Sequence, residues 1–166
     1  MFGFQDVIKF LWAFFLIFPV VIIIHLLGHI TFAAIFGAKG IRVTLGSGKS
    51  LFSFWKIDVH QFYFWSGDCQ FEYVAFNNRF SKSIILLGGS IFNLLSMLLV
   101  NLLIWFDLFE PSIFLYQFIY FSFYYVFFAL LPMDYPGGGH SDGKALYRLW
   151  RKGERGVSSV DCQYKY

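Results

Sequence analysis

FLWAFFLIFPVVIIIHLLGHITFAAIF, residues 10–36, runs for 27 positions without a formally charged side chain. A helix needs only ~20 apolar residues to cross a hydrocarbon core, so this stretch can span a bilayer with some tilt. It is too long for the apolar core of a secretory signal and no small-residue cleavage site follows it, so it is expected to be retained. Lys9 marks its start.

Two further apolar runs lie downstream, about Ile84 to Phe106 and about Ile113 to Leu131, joined by the short acidic turn Asp107 to Pro111. The remaining composition agrees: 58% of the 166 residues are hydrophobic and 14% charged, so the chain would not remain in water on its own. The expectation is a single integral membrane domain over 1–166, all-α, with three transmembrane helices (10–36, 84–106, 113–131) and a small membrane-associated β-hairpin or sheet.

Three crossings put residues 37–82 and the tail 133–166 on one side. The first connection carries Lys39, Arg42, Lys49, Lys56, Arg79 and Lys82. The tail carries Lys144, Arg148, Arg151, Lys152, Arg155 and Lys165, and only Lys9 falls opposite. The excess of positive charge places both segments in the cytoplasm and the amino terminus outside. The net charge of +3 thus reads as a topology signal. No basic stripe interleaved with base-stacking aromatics suggests a nucleic-acid partner. Cys69 and Cys162 would both be cytoplasmic, reduced and structural.

Within the first connection, Leu45-Gly46-Ser47-Gly48 breaks any regular element. Ile57 to Tyr63 then alternates with period two, as a strand does. Ser66-Gly67-Asp68 reads as a turn and Phe71 to Val74 as a second strand, which predicts a hairpin on the cytoplasmic membrane face. After the third span, Pro132, Pro136 and Gly137 to Gly139 rule out a continuous helix, and Ser141 or Asp142 is expected to cap a last helix.

His25 and His29 stand four residues apart in the first apolar run, so both rings leave the same helix face one turn apart. Two such histidines can serve as packing residues, but polar groups inside a membrane helix are costly and generally face a functional interior. Gly28 between them clears room for a close neighbour. The spacing therefore points to metal, with Asp142 as the third ligand, because its glycine-rich surroundings can fold back toward the first helix. His140 is an alternative ligand. Two His and one carboxylate leave an open position, which is the catalytic arrangement of zinc. In the second run, Asn93 could line a cavity, whereas Asn101 is expected to bond between helices.

Taken together these motifs resemble the site-2 protease family of intramembrane zinc metalloproteases, over nearly the whole chain. The family's H-E-x-x-H is similar to His25-Leu26-Leu27-Gly28-His29. Phe36 to Lys39 and Leu45 to Phe52 look like the segment between its histidine helix and its sheet. Leu87 to Leu94 is similar to its small-residue helix with an asparagine, and Leu130-Leu131-Pro132 followed by Ser141-Asp142-Gly143 resembles its third-ligand motif.

The resemblance implies a Zn2+ cofactor on His25, His29 and Asp142. It also implies a transmembrane protein as substrate, cleaved near the cytoplasmic face, and a prokaryotic cell membrane as the setting. A hairpin edge beside the site is expected to hold the unwound segment by strand addition. Two positions depart from the family pattern. Leu26 replaces the glutamate that acts as general base, and Ala129 replaces the asparagine of N-x-x-P. Leucine cannot accept a proton, so the expected activity is that of a metalloendopeptidase impaired or inactive for want of its base. The alternative is a pseudoprotease that binds membrane segments as an adaptor.

Overall fold

The computed structural model describes residues 3–46, 48–54, 56–64, 67–76, 78–135 and 139–152. Four helices and six short strands alternate along it: α1 (Phe4–Ile35), β1 (Ala38–Lys39), β2 (Arg42–Leu45), β3 (Ser50–Phe54), β4 (Ile57–His60), β5 (Gly67–Gln70), β6 (Tyr73–Val74), α2 (Arg79–Trp105), α3 (Ile113–Leu130) and α4 (Asp142–Lys152).

Three helices, over Val7–Ile35, Arg79–Trp105 and Ile113–Leu130, are long and apolar enough to cross a membrane. Their outward faces are greasy: Val20, Ile23 and Leu27 of α1 and Leu95, Leu98 and Leu99 of α2 are all exposed. In water such a surface would drive aggregation, whereas against lipid tails it carries no penalty. Pro19 sits inside α1, a position tolerated in membrane helices because neighbouring groups re-satisfy the freed backbone.

Helix boundaries follow their caps. The Asn78 side chain accepts from Ser81 N at 2.7 Å, so α2 begins at Arg79, five residues before the apolar run that marks it in sequence. Ser112 caps α3 in the same way through Leu115 N. Asp107, in the turn between these helices, takes a positive φ of 55°, a conformation aspartate tolerates better than most residues.

The chain is not all-α. Six strands form two sheets among the described residues, one pairing β1 with β6 and the other in the order β3-β4-β2-β5. The expected hairpin between residues 57–63 and 71–74 does not form either. β4 lies between β3, antiparallel, and β2, parallel, while β6 pairs with β1 through Ala38–Val74 and Lys39–Tyr73. Gly67 and Asp68, read as a turn with Ser66, begin β5, which runs antiparallel to β2; Ser66 lies outside the described residues. The physical reason is strand length. Elements of two to five residues held by partners up to 36 positions away leave almost no periodic signal, and the apolar runs of the helices dominate the pattern.

The start of β5 and the turn at Phe64 pack along α1, with Gly67 against Ile22 and Leu26, and with the Phe64 ring 4.9 Å from that of Phe15 and 5.8 Å from that of Phe14.

One core forms where α1, α2, α4 and β5 meet, from Ile22, Leu26, Cys69, Ile85, Leu86 and Leu149. Cys69 is fully buried there, and Cys162 lies outside the described residues. Asn101 departs from its expected role: its Nδ2 donates to Met97 O within α2 at 2.9 Å, so its bond stays within its own helix.

Candidate metal centre

Two glycine contacts bring the ligand-bearing helices together. A Cβ on Gly28 would stand 2.2 Å from the Gly88 carbonyl oxygen, so α1 and α2 cross backbone to backbone only because neither position carries a side chain. A Cβ on Gly89 would fall 2.4 Å from His25 Nε2, so the imidazole of His25 occupies the space a side chain at 89 would take.

The third contribution comes from the chain after α3. That helix ends at Leu130, and Asp134 and His140 then form an antiparallel bridge that returns the chain toward it. Ser141 then caps α4: its Oγ donates to Leu131 O at 2.5 Å and accepts from Met133 N at 3.1 Å and Lys144 N at 3.2 Å. With Ser141 as the cap, the carboxylate of Asp142 is released from capping and turns inward, 1% exposed. Gly143 allows this approach, because a Cβ there would stand 1.8 Å from Leu130 O.

His25, His29 and Asp142 therefore converge, all three buried, with their potential ligand atoms within 4.8 Å of one another. His25 Nε2 lies 3.1 Å and His29 Nε2 3.6 Å from Asp142 Oδ2, and the two Nε2 atoms are 3.0 Å apart. The outer nitrogens have their own partners. His29 Nδ1 donates to Ile85 O at 2.7 Å, which leaves the Nε2 lone pair of the neutral ring facing inward. His25 Nδ1 is 3.4 Å from the side-chain nitrogen of the fully buried Asn93, whose Oδ1 has no hydrogen-bond partner. Turning that amide over places Oδ1 on the Nδ1–H of His25 and satisfies both groups.

This arrangement fits a tetrahedral cation. Two imidazole lone pairs and a carboxylate oxygen facing one another repel unless a positive charge lies between them. Two ~2.05 Å ligand bonds at a tetrahedral angle separate their atoms by roughly 3.3 Å, in the middle of the observed 3.0–3.6 Å. Asp142 Oδ1, buried and without a hydrogen-bond partner, is a further acceptor that the described residues leave unsatisfied.

Leu26 is 3% exposed and, together with His25, His29 and Asp142, lines a cavity between α1 and α3, packed against the position of Gly67. Ala129 lines it too. His140 is not at the centre. It pairs with Asp134 and Arg148 on the outer side of the Asp142 segment, and the Lys144 ammonium beside Asp134 holds that exposed carboxyl below the usual carboxylate range. Sequence reasoning missed Tyr125, whose ring packs edge-on against His25 with centroids 4.7 Å apart. Nothing local marks it, since α3 is aromatic on every side.

Neither a protein-family model nor a solved structure matches the chain. A relative does: an uncharacterized membrane protein, YwmF, of Bacillus subtilis (strain 168), 46% identical over 155 residues that make up 93% of this chain and 97% of the relative. Identity at that level over almost the full length of both, joined to three apolar helices, means that this chain is a membrane protein belonging to the YwmF family.

Proposed function

We propose that the chain is an intramembrane metalloendopeptidase of site-2 protease type that has kept its zinc ligands and lost its general base. The observation that carries this reading is the convergence of His25, His29 and Asp142, from α1 and the start of α4, on one buried point at ligand spacing. A zinc ion held there would act as a Lewis acid toward a peptide carbonyl and lower the pKa of water.

The protein's own groups divide the remaining work. Ile85 O and Asn93 orient the two imidazoles, and the cavity between α1 and α3 admits apolar chain. Among the described residues the cavity offers proton transfer no free carboxylate. Among the described residues lining the cavity, Asp142 is the sole carboxylate and is engaged as a ligand, while Leu26 occupies the place of the base. General acid–base catalysis contributes ~10²–10⁴-fold, so hydrolysis by this chain falls by about that factor.

That same absence supports a second reading, in which the chain is a pseudoprotease that captures a transmembrane segment of another protein and holds it as an adaptor. In either reading the basic residues of 37–82 and of α4 support a cytoplasmic location for the sheet and the site, with the amino terminus outside.

Elemental analysis of detergent-purified protein tests the shared core of both readings. The expected result is about one zinc per chain, lost in a His25→Ala, His29→Ala double variant and in Asp142→Ala. A metal-free wild type would remove the protease lineage from consideration. Zinc retained in Asp142→Ala would remove the third ligand.

A further inference from the structure

We infer that α4 docks its outer face on anionic phospholipid headgroups of the bilayer, and that this contact holds Asp142 at the metal centre. The docking stands on the surface and position of α4. Its effect on the centre rests on the zinc reading.

α4 has two unlike sides. Ala145, Leu146 and Leu149 pack into the core, while Tyr147, Trp150 and Arg151 are exposed. At about 100° per residue the outer face runs from aromatic, at Trp150 and Tyr147, to basic, at Arg151, Lys144 and Arg148. Four of its eleven residues are basic, and its one acid, Asp142, is buried. An apolar flank beside a basic one is the surface of a helix that lies in a membrane interface.

A contact with α2 sets the depth of this face. Trp150 Nε1 donates to Ser83 Oγ at 3.1 Å, and Ser83 lies near the start of α2, where that apolar helix would enter the bilayer. Arg79 and Phe80, also at the start of α2, are exposed. Trp150, itself 60% exposed, therefore sits where indole rings favour a membrane, between hydrocarbon and water. The outer face of α4 is continuous with the lipid-facing surface of α2.

Charge selects the lipid. Lys144 is paired with Asp134, but among the described residues neither Arg148 nor Arg151 meets a carboxylate. Arg148 bonds to His140, and Arg151 bonds to the Tyr147 hydroxyl with its guanidinium 5.6 Å above that ring. Guanidinium forks match phosphate oxygens. A zwitterionic headgroup already neutralises its own phosphate, whereas an anionic surface attracts each basic residue held near it.

The same helix begins with Asp142. Eleven residues are too few to hold a helix in water, so α4 depends on what covers it, the core on one side and headgroups on the other. An α4 that frays or tilts carries the Asp142 carboxylate away from His25 and His29. Surface charge of the bilayer thereby regulates how tightly the centre closes.

The test places the full-length protein, one copy per disc, in nanodiscs of phosphatidylcholine with or without about a third of phosphatidylglycerol. Amide hydrogen exchange of residues 142–152 is followed beside zinc affinity by chelator competition. Phosphatidylglycerol is expected to slow exchange and tighten zinc, each by about fivefold, the weight of roughly one basic residue at a charged surface. Both effects are expected to vanish in ~1 M salt, where charges are screened beyond ~3 Å. Arg151→Gln, Lys152→Gln removes the two basic residues at the end of α4 far from Asp142 and is expected to lose both responses while exchange in α1 and α2 stays unchanged. Arg151→Gln alone serves should the double variant not fold. Equal exchange in the two discs overturns the inference. So does slowing that persists in a folded variant, which would put the lipid contact elsewhere, or slowing produced by inorganic phosphate in phosphatidylcholine discs, which would make α4 an ion site. Slower exchange with unchanged zinc affinity overturns the effect on the centre, and slower exchange in a protein that holds no zinc strikes the metal reading alone.

Discussion

Gly67 of β5 lies directly on Leu26 of α1, so close that a methyl group at 67 would stand 2.5 Å from Leu26 Cδ1. The residue that the proposed protease reading puts in the place of a general base is therefore also the residue against which the start of β5 is seated. Leu26→Glu is expected to restore cleavage of a model transmembrane substrate by about 10²–10⁴-fold over wild type, because the added carboxylate can accept a proton at the metal centre. It is also expected to lower the Tm, since a carboxylate replaces a leucine in an apolar contact. A gel-shift cleavage assay beside thermal unfolding reads both effects. A zinc-loaded Leu26→Glu protein that still does not cut would favour the adaptor.

Asn93→Ala is expected to weaken zinc binding about 10–100-fold without abolishing it, the usual effect of losing a group that orients a ligand. His25 loses its Nδ1 partner while His29 keeps Ile85 O. Competition with a chelator of known affinity gives the number. Unchanged affinity would mean that Asn93 merely packs.

Gly143→Ala and Gly28→Ala should be among the most damaging single substitutions in the chain. Each added methyl meets backbone, at 1.8 Å from Leu130 O and 2.2 Å from Gly88 O, and backbone cannot rotate away. Overpacking of this kind costs about 1–3 kcal/mol and at times more. The two differ in consequence. Gly143→Ala moves α4 and Asp142 and is expected to release zinc from a still helical protein, while Gly28→Ala parts α1 from α2 and lowers the unfolding temperature. Zinc content and circular dichroism, measured together, distinguish them.

The Asp134 carboxyl is held below its ordinary range chiefly by its bond to Lys144, with His140 adding to it. A carboxyl depressed in the folded state contributes stability that is present above the unfolded value of ~3.9 and is lost as pH falls through the lower folded value. The link between Asp134 and α4 should therefore persist at neutral pH and fail only in strong acid. The contribution is small at so exposed a group. Asp134→Asn is expected to abolish that acid step in an unfolding-versus-pH series while leaving the neutral-pH zinc content unchanged.

Much of this protein was settled locally. Twenty-seven uncharged positions in a row must leave water, so the first span was legible without any partner, as were the second and third. The His25–His29 pair was equally local, because a helix places residues four apart on one face whatever surrounds it. Long-range contacts decided the rest. Among the described residues, six strands of two to five residues exist because each finds a partner, β1 on β6 and β2 on β5 far along the chain, and no periodicity announces that. Asp142 could be nominated as a ligand from its neighbours, yet only the Ser141 cap and the Gly143–Leu130 contact turn its carboxylate inward. Tyr125 acquires its place beside His25 solely from the packing of α3 on α1. The sequence alone determined which segments lie in the membrane, because transfer from water depends on composition and length. Which polar groups meet there was decided by tertiary structure, because that depends on how closely the backbones approach.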